Sequence, residues 1–171
     1  MSGLLAVAGA ACLVLAGSGT AGRVGWNEAA KAKGVKVMTY TVDSLTFDTK
    51  GWRAHISFHN VSHVTVNVGK RHEFGVAFFT DPKTETLTQG SFVPATTYST
   101  RVPTSFKPGD SWSGTIGGTG TLTTTMRVYV RVVFGPFTGL PGTTAAVVWI
   151  TDHAMTLGKG SGPGPSPGPV I

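Results

Sequence analysis

Three sets of side chains in this sequence are of types that do chemistry. His55, His59 and His63 recur every fourth residue, a spacing that would stack imidazoles one turn apart on a helix and could hold a metal ion there. Ser111 follows Gly109-Asp110, and Asp152-His153 lies downstream, so the residue types of a Ser/His/Asp nucleophilic set are present. Arg127, Tyr129 and Arg131 put an aromatic between two guanidiniums at alternate positions, and with Arg53 they make a candidate anion-binding face. Arginine pairs with phosphate or carboxylate in two parallel hydrogen bonds and stacks on aromatic rings. What each set can do depends on the elements that carry it.

The element that decides most is Trp52-Arg-Ala-His-Ile-Ser-Phe-His-Asn60, in which Trp52, Ala54, Ile56 and Phe58 alternate with Arg53, His55, Ser57 and His59. Successive strand side chains point to opposite faces, so this is a β-strand with an apolar inner face and a polar outer one. The histidines therefore sit on a strand, where four residues span about 13 Å. Two of them cannot share a zinc ion whose bonds are about 2 Å long. They read as solvent-facing strand residues, and neither a metal nor a cofactor is expected. Met126, Val128, Val130, Val132 and Phe134 form a second alternating strand, with Arg127, Tyr129 and Arg131 expected to face outward.

Around these two strands the chain divides into four parts. Residues 1–22 hold an apolar run from Gly3 to Gly17 followed by Gly-Ser-Gly-Thr-Ala-Gly, the pattern of a signal peptide cleaved near Ala21 or Gly22, or of a membrane anchor. Ala10-Ala11-Cys12 faintly matches a lipoprotein attachment site, but Gly9 stands where leucine is wanted, and plain export or anchoring through residues 3–21 is the reading preferred. Residues 23–34 read as a tether with a short helix from Glu28 to Lys33, capped by Asn27 and ended by Gly34. Residues 35–157 carry the domain. Val35–Phe47, Val64/Val66/Val68, and Phe74/Val76/Phe78 read as further strands, and the continuous apolar run Ala145–Ile150 reads as a strand covered on both sides. Lys107-Pro-Gly-Asp110 is a turn. Residues 158–171 are a Gly/Pro-rich tail expected to be disordered.

Charged residues make up only 13% of the 171, and glycine is abundant at 24, which suits an all-β domain rich in turns. About seven to nine short strands without an intervening helix predict an immunoglobulin-like antiparallel β-sandwich, with a closed barrel as the runner-up. The net charge of +6 draws anionic material, but the cations are dispersed rather than striped, so no nucleic-acid partner is expected. Cys12, the single cysteine, lies in the apolar run and leaves the domain no disulfide. Gly114–Gly120 is glycine-rich but precedes a strand and contains no lysine, so it is not a phosphate loop. Asn60-Val61-Ser62 fits a glycosylation sequon.

Gly109-Asp-Ser111 resembles the nucleophile block of Gly-Asp-Ser-Leu esterases. It departs from that family in having Trp112 for the leucine and in its adjacent Asp152-His153, whose side chains would point to opposite strand faces. A broader likeness rests on Phe58-His-Asn-Val-Ser62, Phe74-Gly-Val-Ala-Phe-Phe79 and Phe106-Lys-Pro-Gly-Asp-Ser-Trp-Ser-Gly114, following an apolar N-terminal run. In that order they resemble exported immunoglobulin-like domains of Gram-positive bacteria and actinobacteria, found on lipoproteins and membrane-anchored proteins. Secreted mycobacterial immunogenic antigens are similar in fold. The resemblance covers about residues 35–157, implies a β-sandwich outside the membrane, and carries over no catalytic residue.

The expectation is thus a non-enzymatic extracellular domain, secreted or anchored to the outer face of the cytoplasmic membrane. It would bind or space at the cell envelope, with an anionic polymer or lipid headgroups as partner. Two alternatives stand beside it: a secreted serine hydrolase using Ser111, and a cytoplasmically oriented membrane accessory domain. The second is suggested by Arg23, Lys31, Lys33 and Lys36, which follow the apolar run while no cation precedes it.

Overall fold

A computed structural model of the chain describes residues 20–48, 50–69, 74–84, 91–119 and 127–158. The apolar run up to residue 19, Met126 and the tail from 159 lie outside them. The alternation around Trp52 forms the strand expected: Trp52, Ala54, Ile56 and Phe58 are all buried, while Arg53 is exposed. This strand, β3 (Gly51–Asn60), lies at the centre of a five-stranded sheet. Its neighbours are β2 (Val35–Asp48) and β9 (Ser111–Thr119), both antiparallel to it. Outside β2 runs β1 (Thr20–Ala32), and outside β9 runs the short β7 (Thr97–Tyr98).

The expected tether at 23–34, with its helix over 28–33, is instead most of β1. This strand pairs with β2 from Thr20↔Phe47 to Ala32↔Val35. Trp26, Ala30 and Ala32 join the core, so burial along a long β2 template outweighs the helix propensity of a six-residue alanine- and lysine-rich stretch.

The second sheet is built on β10 (Val128–Thr138). Along one edge of it run β5 (Gly75–Phe79) and then β4 (Val66–Val68); along the other run β12 (Met155–Leu157) and β11 (Val147–Ile150). Beyond β5 lies β6 (Phe92–Pro94), and beyond β4 lies β8 (Ser105–Phe106). The order β2-β3-β9-β7 facing β5-β10-β11 is the A-B-E-D and C-F-G order of an immunoglobulin-type sandwich. The described residues hold twelve strands rather than seven to nine, because β1 stands where a tether was expected and both edges of β10 are lined by broken strands.

One core fills the space between the sheets. The Phe58 ring centroid lies 4.8 Å from Phe106, 5.2 Å from Trp112, 5.7 Å from Phe74 and 6.1 Å from Phe137. Phe74, Val76 and Phe78 point into it together, as their alternation predicts. Val128 and Trp149, expected in this core, are only partly buried against it. Val64 falls outside β4 and is exposed. The 145–150 run is an edge strand: Trp149 packs on the main core and Ile150 on the far side of the sheet, each half-buried.

Asn60 is fully buried. Its amide donates to the carbonyls of Val64 and Phe106, and its oxygen accepts from the Ser62 amide and hydroxyl. The sequon asparagine is therefore a core staple, closed to glycosylation in the folded domain.

Candidate functional site

The outer face of the first sheet carries a grid of short polar side chains set by strand register. Thr39, His59 and Ser111 form one row across β2, β3 and β9, and Thr41, Ser57 and Ser113 form the next. Ser44, His55 and Thr115 form a third, and Thr46 and Arg53 meet Gly117 in a fourth. Cross-strand hydrogen bonds knit the rows: Thr41 Oγ1 and Ser57 Oγ are 2.5 Å apart, and Ser111 Oγ is 2.8 Å from His59 Nδ1. Thr39, Thr41, Ser57, His59, Ser111 and Ser113 line an open depression of about 350 Å³.

One line of contacts has the order of a nucleophilic relay. The register slips between Val42 and Ser44, so Asp43 is the extra residue of a β-bulge. The bulge turns its carboxylate to His55, with Asp43 Oδ2 2.7 Å from Nδ1, and the other ring nitrogen of His55 lies 3.4 Å from Ser113 Oγ. Asp43 can thus hold the Nδ1–H tautomer and turn Nε2 toward the hydroxyl, as in acid–imidazole–serine sets. The surroundings do not complete such a site. The His55 and Asp43 side chains are 43% and 53% exposed, so water competes for every contact. The nearby Thr115 amide, a donor that could face an oxyanion, is taken by Ser99 Oγ at 2.8 Å.

The set anticipated around Ser111 is not assembled. His153 lies against β1, three strands across the sheet from Ser111, a separation of about 14 Å at ordinary strand spacing. There His153 Nδ1 is 2.9 Å from Glu28 Oε1, its ring stacks on Trp26, and the amides of Asp152 and His153 donate to the same carboxylate. The Glu28 side chain is almost wholly buried, 4% exposed, and it ties the β11–β12 turn to the first sheet. The Tyr40 phenol faces it; burial, then the negative charges of Glu28 and Asp152, push that phenol well above its ordinary value. This cluster closes one side of the sandwich.

The histidine trio does not converge either. His55 and His59 lie on separate rows of β3, and His63 is exposed in the loop beyond. Among the described residues no three of His, Cys, Asp and Glu gather around a point.

The candidate anion-binding face also divides. Arg53 is exposed on the first sheet, whereas Arg127 and Tyr129 are half-buried at the start of the strand that centres the second. Arg131, expected to face solvent, is 6% exposed. It lies on the outward side of β10, but that side is covered. Ala77, Phe79 and Val133 form a second apolar cluster there with Phe92, Val148 and Ile150 packed against it. The Arg131 guanidinium sits over the Phe79 ring at 5.4 Å and donates to the Pro82 carbonyl. No family model, curated protein or solved structure matches this chain.

Neither Asp43 nor Ser113 stands out in a residue-by-residue reading. A signal for Asp43 is nonetheless present. Tyr40 and Val42 are inward at even positions and Leu45 and Phe47 at odd ones, so the alternation slips by one residue at 43–44. Such a slip marks a bulge.

Proposed function

We propose that this is a non-enzymatic immunoglobulin-like domain of the cell envelope that binds an extended anionic polymer on the open outer face of its first sheet. The observation that carries the reading is the open grid of hydroxyl and imidazole groups over β2, β3 and β9, with Arg53 at its edge. Such a surface offers many donors at regular strand spacing and no enclosed chamber, which suits a polymer laid across it better than a small substrate. The net charge of +6 favours an acidic glycan or a polyol-phosphate chain. Export, by secretion or by an anchor on the outer face of the membrane, is supported by the apolar run 3–17 with small residues after it, and by the likeness to exported immunoglobulin-like domains.

Retention on purified cell walls tests this. The triple variant Arg53→Ala/Ser57→Ala/His59→Ala, altered only on the outer face, should lose at least about 10-fold in retention, since each lost donor to a charged group contributes roughly 1 kcal/mol or more. Unchanged retention would remove the face from consideration. A second reading, serine hydrolysis, is favoured by one observation, the Asp43–His55–Ser113 line. Labelling by a fluorophosphonate, absent in Ser113→Ala, would replace the binding reading with that one.

A further inference from the structure

The three exposed large hydrophobic side chains among the described residues are Val35, at 58%, and Val61 and Val64, at 37% each. All three fall at one end of the sandwich. Val35 is on the β1–β2 hairpin, whose turn residues Lys33 and Gly34 both take left-handed φ, 48° and 79°. The Val61 amide donates to the Val37 carbonyl beside that hairpin, which brings the 61–65 loop alongside. The Lys107–Asp110 turn is joined to the same place, with Asn60 N–H donating to Asp110 O and Gly109 N–H to Asn60 O.

The valines are ringed by cations. Lys31, Lys33, Lys36 and Lys107 oppose Asp110 alone, a balance of four minus one, or +3. The ion pairs among the described residues are His55–Asp43 and His153–Glu28, so none of these lysines is neutralised by a carboxylate. Lys31 and Lys36 are direct cross-strand partners, an arrangement of like charges that costs stability and that an anionic surface would relieve. The Lys33 side chain runs along Gly142, where an added Cβ would come within 2.7 Å of its Cδ and 3.2 Å of its Nζ, so this cation is held at the same end of the sandwich.

We propose that this end, independently of the polymer-binding face, docks on an anionic lipid bilayer. The three valines would enter the headgroup boundary and the lysines would pair with lipid phosphates. Apolar tips flanked by cations gain from both terms at once, whereas a soluble acidic polymer gains nothing from the valines. The end lies away from Thr20, which pairs with Phe47 at the far end of β1, about 40 Å off at ordinary strand rise. Insertion of the N-terminal apolar run into a vesicle would therefore leave these loops uncovered, and the two modes are separable.

Hydrogen–deuterium exchange of the full chain tests the proposal with four probes: vesicles of phosphatidylcholine containing anionic phosphatidylglycerol, vesicles of phosphatidylcholine alone, inorganic phosphate, and polyglutamate. Amides of 33–36 and 61–65 should exchange more slowly with the anionic vesicles only, and the effect should vanish in 0.5 M NaCl. Lys31→Gln/Lys36→Gln should raise the lipid concentration for half-protection about 25-fold, at about fivefold per lysine. Since the pair removes a repulsion, its thermal midpoint should stay level or rise, which checks the fold. Val35→Asp should abolish the protection. Equal protection by neutral vesicles, protection by phosphate or polyglutamate alone, or indifference to the substitutions would each overturn the proposal.

Discussion

The two sheets present outward faces of opposite character, although the strands at their centres are written alike. In β3, Arg53 alternates with Trp52 and Ala54; in β10, Arg131 alternates with Val130 and Val132. Arg53 is exposed beside serines, threonines and histidines, whereas Arg131 is buried on Phe79 with its Nη2 on the Pro82 carbonyl. The difference lies in what reaches over each sheet. Nothing among the described residues folds across β3, while the Asp81–Lys83 turn, β6 and β11 bring Pro82, Phe92, Val148 and Ile150 over β10. Alternation tells which side chains share a face. It does not tell whether that face meets water.

The largest effect tests the premise that both faces belong to one sandwich. Phe58→Ala should cost about 3–5 kcal/mol in urea unfolding, because its ring meets four aromatic rings from both sheets. A cost under about 1 kcal/mol would mean the sheets do not share this core. Next comes the contrast of the two arginines. Arg131→Ala strips packing from Phe79 and leaves the Pro82 carbonyl without its donor, and should cost about 2 kcal/mol. Arg53→Ala should stay within about 0.5 kcal/mol. Similar values for the two would erase the distinction between the faces.

A smaller effect concerns pH at the flank of the first sheet. The Tyr40 phenol is raised by burial and by Glu28, so it ionises later in the folded chain than in the unfolded one, where its pKa is about 10. Its stabilising contribution is full below that pH and is lost as pH climbs toward the folded value. Alkaline denaturation followed by fluorescence should therefore be less steep in Tyr40→Phe than in the wild type. Tyr98, also raised by burial, keeps its own part of the slope.

Much of this was legible in the sequence. The inward sets Trp52/Ala54/Ile56/Phe58 and Phe74/Val76/Phe78 are where alternation puts them, and the all-β class follows from them. Strand periodicity is a local property: each Cβ direction is set by its own backbone, so the order of residues is enough. The rest was decided by contacts between residues far apart in the chain. Glu28 meets His153, 125 residues away, which makes β1 a strand of the sandwich where local propensity favoured a short helix. Pro82 meets Arg131, 49 residues away, which turns an outward cation into a buried one. His55 finds Asp43 through a bulge and Ser113 through the β3–β9 register. Burial and hydrogen bonding depend on which segment closes over which. Closing a long loop costs only slowly more as it lengthens, so partners that distant compete on nearly equal terms and packing of the whole chain selects among them.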